Sequence, residues 1–308
     1  RLGEYELAIA DFSKAISLNP DYAAAYNNRG VIYARRGMHE KAIEDYSRAF
    51  ELDPSFSEAL FNRGIEFSRL GHLEDAIADY TRALEISPDN ADILYNRGLA
   101  YGKMGRPEAA IADYLLCLEK NPAYAEAHNN LGVEYSRLGL VETALDHYAK
   151  AIESNPAFVE AYNNRGVLFN RLGRFDEAIA EFSRALEVFA QGVSGEAGPG
   201  GADESDAPLA GAALHAPGGP GAAEAIGEEG GSPLAMEGQV EDPAIRELTE
   251  EIRQAPDDPE LYNRRGMEYS RLGQSEKAIE DFTRAIDIDP GYIEAHFNRG
   301  NEYDRIGR

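Results

Sequence analysis

The chain has 308 residues, a net charge of −25 at pH 7 and a single cysteine. The acidic balance argues against a nucleic-acid-binding protein, which would need a basic surface. One cysteine excludes an intramolecular disulfide framework. The sequence contains no run of 18 apolar residues, so it predicts no membrane-spanning helix.

Prolines divide most of the chain into segments of equal length. Successive prolines are 34 residues apart in two runs, the first ending at Pro156 and the second beginning at Pro256. A fixed period of this length is typical of repeat proteins, in which each unit stacks on the next. The prolines are Pro20, Pro54, Pro88, Pro122 and Pro156, followed by Pro256 and Pro290.

Each 34-residue unit predicts two helices, as residues 23–56 illustrate. Apolar side chains recur at helical spacing in both halves of the unit. Gly37 is expected to end the first helix, because glycine tolerates a left-handed cap, and Pro54 to end the second. Gly30 stands in the middle of the first helix, where glycine costs about 1 kcal/mol relative to alanine. We therefore expect the two helices to approach each other closely at Gly30.

These residues resemble the tetratricopeptide repeat (TPR) family. The unit reads aromatic-x-x-x-Gly-x-x-Tyr, then Ala-x-x-x-Tyr-x-x-Ala, then Pro, and the resemblance covers all but the middle of the chain. It implies an all-α fold: an α-solenoid in which helix-turn-helix repeats form a right-handed superhelix. One departure recurs, because the residue before the mid-helix glycine is usually leucine in the family. Here only Leu131 keeps it, and the others are Arg29, Arg63, Arg97, Arg165, Arg265 and Arg299.

In chain order, the pattern predicts a first array over residues 1–190, with one partial and five full repeats. Residues 191–242 carry ten acidic residues and no lysine, arginine, phenylalanine, tyrosine or tryptophan, a composition that predicts a disordered linker. Residues 243–308 predict a second segment with a lone second helix, one full repeat and a final first helix. Because both ends fall inside a repeat and the chain starts at Arg1, we expect a fragment of a longer protein.

The resemblance implies that the first helices line a concave groove. One column of this surface is almost entirely asparagine, and an amide can both donate to and accept from a peptide backbone. The column resembles the asparagine ladder of O-linked N-acetylglucosamine transferases; alternatively, the amides bond neighbouring helices of their own stack. Its members are Asn28, Asn62, Asn96, Asn130, Asn164 and Asn298, with Arg264 as the exception.

Other columns of the predicted groove add candidate peptide contacts. Phe61 and Tyr95 stand where other units have asparagine, and exposed aromatic side chains are common interface anchors; alternatively, the two pack on each other. Ile65 and Leu99 belong to an apolar column. A basic column faces an acidic one and would orient a peptide, although the same charges also complement the helix dipole. In these units the basic residues are Arg69, Lys103 and Arg137.

The sequence contains no recognisable catalytic or metal-binding constellation. None of the six histidines forms the spaced histidine pair with a glutamate that zinc proteases use. His128 and His296 fill a core aromatic column, and Cys117 fills a small-residue column, so it is predicted to be a buried, inert thiol. We therefore predict neither enzymatic activity nor a cofactor.

The recurrent arginine predicts an ion pair within each repeat. An aspartate or glutamate stands sixteen residues after five of these arginines, which are Arg29, Arg63, Arg97, Arg165 and Arg265. The unit with Leu131 lacks the acid too, since His147 occupies its place. Because this unit lacks both residues, we predict that in the other units the arginine of the first helix contacts the acid of the second helix.

Taken together, these features predict a scaffold that binds a protein or peptide in the groove. The alternative is the substrate-recruiting arm of a larger enzyme, for example a glycosyltransferase, whose catalytic domain lies outside these residues. Self-association through the open ends of the repeat arrays is a further interpretation. The sequence identifies neither the partner nor a localisation.

Overall fold

The computed structural model describes residues 2–195 and 242–307, and every regular element in these ranges is an α-helix. The helices alternate as first and second helices of the predicted repeats, so the all-α solenoid prediction is confirmed. Their bounds are α1 Leu2–Leu18, α2 Ala23–Arg35, α3 His39–Leu52, α4 Ser57–Arg69, α5 Leu73–Ile86, α6 Ala91–Lys103, α7 Pro107–Lys120, α8 Ala125–Arg137, α9 Val141–Ser154, α10 Val159–Arg171, α11 Phe175–Gly195, α12 Pro243–Gln254, α13 Pro259–Arg271, α14 Ser275–Ile288 and α15 Ile293–Gly307.

Most of the linker predicted over residues 191–242 lies outside the described residues. Residues 191–195 are described, and they form the end of α11, so this helix extends five residues past the predicted boundary. At the other side, the Asp242 carboxylate accepts a hydrogen bond from the Ala244 N–H at 2.9 Å and caps α12. None of the described helices combines the length and the apolar composition needed to cross a bilayer.

Glycine ends the first helix of each repeat, as predicted. Gly37 has a φ of 68°, and the N–H of the next residue, Met38, reaches back to the Tyr33 carbonyl at 2.8 Å. The same carbonyl also accepts from the Arg36 N–H at 3.1 Å, so the end of α2 is capped by backbone hydrogen bonds. The turn that follows is short, so the second helix packs directly against the first.

The mid-helix glycine allows that close packing. A Cβ atom added at Gly64 would lie 2.6 Å from Cε1 of Tyr80 in the second helix of the same repeat, and at Gly30 it would lie 2.8 Å from Tyr46. Tyr80 is 1% exposed, between the fully buried Ala76 and Ala83. The predicted close approach of the two helices is therefore confirmed.

The chain divides into two compact units. One comprises Arg1–Pro54 with Ala213–Arg308, and the other comprises Ser55–Ala212. This division differs from the predicted one, in which residues 1–190 form the first array and residues 243–308 the second. In the second unit, α4 to α11 are four full repeats in chain order.

In the first unit, the two ends of the chain together form one repeat. Helix α15 is a first helix and packs against α1, a second helix. The Arg299 Nε and Nη2 atoms donate to the Asp11 carboxylate at 2.8 Å each, and a Cβ at Gly300 would meet Phe12 at 2.9 Å. The same two contacts join the helices of the continuous repeats, except that the α8–α9 repeat has only the glycine contact. The order of packing in this unit is therefore α12, α13, α14, α15, α1, α2, α3.

Candidate functional site

The amides of the asparagine column connect consecutive first helices. The Nδ2 of Asn164 in α10 donates to Asn129 Oδ1 in α8 at 3.0 Å, and the Nδ2 of Asn130 donates to the Tyr95 hydroxyl oxygen in α6 at 3.2 Å. The amides therefore bond neighbouring helices of their own stack, which is the interpretation predicted as the alternative to peptide binding. In the other unit, similar bonds at 3.0 Å join Asn298 to Asn263 and Asn28 to Asn301.

Burial separates the members of this column. Asn28 and Asn62 are 0% and 1% exposed, whereas Asn96, Asn130 and Asn164 are partly exposed. The amides on α6, α8 and α10 can therefore be reached from solvent, and those on α2 and α4 cannot. A column that is uniform in sequence is thus divided into a structural part and an accessible part.

Two of the accessible amides keep an unused acceptor. Asn96 donates through Nδ2 to the Asp92 carbonyl at 2.8 Å, and Asn164 donates to Asn129. Their Oδ1 atoms make no hydrogen bond to any other described residue. A side-chain carbonyl in this position can accept from the N–H of a peptide backbone.

The aromatic residues predicted as anchors differ in exposure. Phe61 is 4% exposed and packs on Tyr80 with 6.0 Å between ring centroids, so the exposure expected of Phe61 is not found. Tyr95 is partly exposed, stacks on Tyr124 at 4.9 Å and lies 5.9 Å from Tyr114. Whether either ring contacts a peptide stays a prediction.

The apolar column is accessible along part of the second unit. Ile65, Leu99 and Val133 are partly buried, and Val167 is 42% exposed. These four residues lie on α4, α6, α8 and α10 respectively. They give the surface of the first helices an apolar strip beside the amides.

Two of the three basic residues predicted in the groove form ion pairs with buried carboxylates. Arg69 donates to Glu66 at 3.3 Å, and Arg137 donates to Glu134 at 2.8 Å. Glu66 is fully buried and Glu134 is 5% exposed. Lys103, which is exposed, makes no ion pair with another described residue. Of the three predicted basic contacts, Lys103 therefore has the most readily available charge.

The predicted arginine–acid pair is confirmed in every repeat that has both residues. Arg97 Nε and Nη2 donate to the two Asp113 carboxylate oxygens at 2.8 and 2.7 Å, while Nη1 donates to Thr81 of the preceding repeat at 3.2 Å. Hydrogen bonding to Asp113 raises the pKa of Arg97 above its ordinary value. The same pairing joins Arg29 to Asp45, Arg63 to Asp79, Arg165 to Glu181 and Arg265 to Asp281.

The repeat without this ion pair has two histidines in contact. Nδ1 of His128 lies 3.1 Å from Nδ1 of His147, and the His147 ring stacks on Tyr135 at 5.4 Å. Burial, together with the neighbouring His128, lowers the pKa of His147 to about 4. Lys150 and Asp146 are the charged side chains that act on this pair. Both rings are therefore neutral at neutral pH.

We expect this histidine pair to weaken the repeat at acidic pH. The unfolded chain takes up a proton on His147 near pH 6.5, but the folded chain only near pH 4, so the stabilisation is present above pH 6.5 and is lost as pH falls towards 4. The loss at pH 5 is about 2 kcal/mol of unfolding free energy.

Urea unfolding at pH 7.5 and 5.0 measures this loss, with His147→Asn as the matched variant. The variant is expected to lose less stability than the natural chain between the two pH values, since other titrating groups are common to both. An equal loss in both chains would contradict the assignment to His147.

Acidic, histidine and cysteine side chains are the candidate metal ligands of this chain. Among the residues that the structure describes, no three such side chains are placed to hold a metal ion. Cys117 is fully buried, and burial raises the pKa of its thiol to about 12, in keeping with the predicted inert thiol.

Stacked helix pairs with a row of side chains along the first helices define an α-solenoid of the kind that presents an extended binding surface. Family models support this class directly. A TPR repeat model matches residues 1–37 and 66–105, and two tetratricopeptide repeat models match residues 23–56, 91–124 and 259–292, and residues 129–201. The chain belongs to the tetratricopeptide repeat family, and it is a protein-interaction scaffold.

Solved structures of MamA are similar to part of this chain. One crystal structure is 28% identical, covers 54% of this chain and 96% of its own, and has a TM-score of 0.50. A second is 27% identical, with coverages of 58% and 98% and a TM-score of 0.51. MamA from Desulfovibrio magneticus RS-1 is 22% identical over 55% of this chain and 96% of its own, with a TM-score of 0.51, and shows the fold alone. No curated protein matches the chain.

Proposed function

We propose that the chain binds an extended peptide along the first helices α6, α8 and α10. The observation that carries this proposal is the pair of accessible carbonyl oxygens on Asn96 and Asn164, which have no partner among the described residues. Oxygens spaced along one surface are suited to the N–H groups of an extended backbone. Backbone recognition of this kind gives affinity without a strict demand on peptide sequence.

Neighbouring side chains supply the remaining chemistry of the proposed groove. Leu99 and Val167 offer apolar contact beside the amides, and Tyr95 offers the partly exposed edge of a stacked ring. Lys103 offers an exposed charge for an acidic residue of the peptide. The proposed ligand is therefore an extended peptide with apolar side chains and at least one carboxylate.

The buried members of the predicted site have a structural role in this proposal and are not peptide contacts. Asn28, Asn62 and Phe61 are at most 4% exposed, so they support the stack from behind the groove. Asn130 and Arg137 on α8, and Ile65 and Arg69 on the neighbouring first helix α4, stay proposed contacts. A substrate-recruiting arm of a larger enzyme would use the same groove, and it would differ in what lies outside these residues.

We expect Asn96→Ala to weaken the binding of a peptide selected from a random library by roughly three- to tenfold, since one hydrogen bond contributes about 0.5–1.5 kcal/mol. The Asn96 amide donates only to the backbone of its own helix, so its removal leaves the stack intact. Lys103→Ala is expected to weaken binding of the same peptide too, and this loss of affinity is expected to grow as the salt concentration is lowered. Fluorescence anisotropy with labelled peptide measures both effects.

Lys150→Ala is the matched control, because Lys150 is exposed on a second helix and pairs with Asp146. It is expected to leave peptide affinity unchanged. If the selected peptide binds Asn96→Ala, Lys103→Ala and Lys150→Ala chains with equal affinity, it does not lie in the proposed groove.

A further inference from the structure

Each first helix that the structure describes ends with a basic residue. A lysine or an arginine stands in the last turn of all seven of these helices. Among the described second helices, only α7 and α12 have a basic residue there. The residues that form this basic column of the first helices are Arg35, Arg69, Lys103, Arg137, Arg171, Arg271 and Arg305.

The helix dipole does not account for this difference between first and second helices. A cation near the end of a helix is stabilised by the dipole whichever of the two kinds of helix carries it. Acidic residues in the first turn behave as the dipole requires, since both kinds of helix have them, as Glu126 of α8 and Glu142 of α9 illustrate. The basic column, which is confined largely to the first helices, therefore has another cause.

Ion pairs within the protein account for five members of the basic column. Arg35 of α2 pairs with Asp304 of α15. Four members pair with an acid three positions earlier in their own helix, and these pairs are Arg69 with Glu66, Arg137 with Glu134, Arg271 with Glu268, and Arg305 with Glu302. Three positions before the other two members stand Ala100 and Leu168, so α6 and α10 offer no such acid.

The two remaining members, Lys103 and Arg171, are exposed cations without an ion pair to another described residue. Lys103 follows Asn96 by seven residues, and Arg171 follows Asn164 by seven. Seven residues are about two helical turns, so each cation lies on the same side of its helix as the accessible amide. The helix between them, α8, ends with Arg137, which is held by a carboxylate. Two separate positive charges therefore remain along one edge of the proposed groove.

The distance between these two charges sets the spacing of complementary groups in a peptide. Hydrogen bonds join α6 to α8 and α8 to α10, so consecutive first helices are in contact. Helices in contact lie about 8–10 Å apart, which places α10 about 16–20 Å from α6. An extended chain rises about 3.3 Å per residue and directs every second side chain to the same side. Two side chains six residues apart therefore reach both cations from one side of the peptide.

We propose that the peptide bound in this groove carries two carboxylate side chains six residues apart, which pair with Lys103 and Arg171. This inference rests on the proposed function, and it adds a second charge and a fixed spacing to the ligand. Each cation stands alone, which suits a carboxylate with a single charge. A phosphate group carries up to two charges and favours a cluster of basic residues. The amides of Asn96 and Asn164 bind the backbone of the segment that joins the two carboxylates.

The test measures fluorescence anisotropy of three labelled peptide pools of about 14 residues with the full chain. The first pool has two aspartates six residues apart, the second has two aspartates three residues apart, and the third has two asparagines six residues apart. All other positions are mixtures of alanine, leucine and serine. The first pool is expected to bind about tenfold more tightly than the third. It is expected to bind about threefold more tightly than the second, whose odd spacing directs the two aspartates to opposite sides.

Substitutions in the chain assign the two charges. Lys103→Ala and Arg171→Ala are each expected to weaken binding of the first pool about threefold and to leave binding of the asparagine pool unchanged. Arg171→Lys keeps the charge and is expected to retain most of the affinity. Lys120→Ala is the matched control, because Lys120 lies in the last turn of the second helix α7, and it is expected to bind all pools as the natural chain does. Urea unfolding checks that each variant is folded.

Equal affinity for the three pools, or an equal effect of Arg171→Ala on the first and third pools, would overturn the proposal. Asn96→Ala then separates this failure from failure of the proposed function. If Asn96→Ala weakens binding of all three pools, the groove binds a peptide backbone and only the paired carboxylates are wrong. If no pool binds, or if Asn96→Ala has no effect on any pool, the groove itself is wrong and the paired carboxylates are rejected with it.

Discussion

Replacing Arg97 with alanine is expected to lower the unfolding free energy by about 3 kcal/mol, and Asp113→Ala by a similar amount. The Asp113 side chain is 5% exposed and that of Arg97 is 18% exposed, so either substitution leaves the other charge buried without its partner. The double substitution is expected to cost clearly less than the sum of the two. A coupling energy above about 1 kcal/mol follows from this difference.

An exposed pair provides the matched control for this cycle. Arg184 and Glu187 are 51% and 60% exposed and lie 2.9 Å apart on α11. Their coupling is expected to be below about 0.5 kcal/mol, because solvent screens such pairs. Because repeat arrays can open locally, hydrogen exchange of α6 and α7 accompanies urea unfolding as a second measurement. Equal coupling in the two cycles would contradict a stabilising role for the buried pair.

The sequence predicts this ion pair because one repeat lacks both partners. Leu131 and His147 depart together from a pattern that other repeats keep, and a joint departure indicates contact. The partner of Arg299 could not be predicted in this way, because the position sixteen residues later lies outside these 308 residues. It pairs with Asp11 near the other end of the chain, and only the fold brings the two together.

Accessibility in the groove was much harder to predict than the fold. Asn28 and Asn96 occupy the same column, yet Asn28 is fully buried and Asn96 is partly exposed. Periodicity fixes which side of a helix a residue occupies, whereas its exposure depends on the side chains of neighbouring helices. Phe61 shows the same limit, since the packing of Tyr80 beside it decides its burial.

The buried carboxylates Glu66 and Glu134 were missed for a related reason. Their column is apolar in three other repeats, with Ile32, Ala100 and Leu168, and acidic in two, with Glu268 and Glu302. An acid that alternates with apolar residues in one column is a signal of a buried carboxylate. The basic residues three positions later, which hold these acids, complete that signal.

Gly64→Ala is expected to destabilise the chain by about 2 kcal/mol, although alanine favours a helix over glycine by about 1 kcal/mol. The added Cβ would lie 2.6 Å from Cε1 of Tyr80, and that ring is 1% exposed. The ring can move away only by displacing α5, and overpacking of this kind costs up to about 3 kcal/mol. Urea unfolding with hydrogen exchange of α4 and α5 measures the change.

Gly102 distinguishes this steric effect from helix propensity. It also lies within a first helix, but a Cβ there would meet the far end of the flexible Glu134 side chain, at 3.1 Å, as its nearest neighbour. Glu134 can shift slightly, so the propensity gain is expected to prevail and Gly102→Ala to be neutral or stabilising by up to about 1 kcal/mol. If both substitutions change stability in the same direction, contact with Tyr80 is not what requires glycine at position 64.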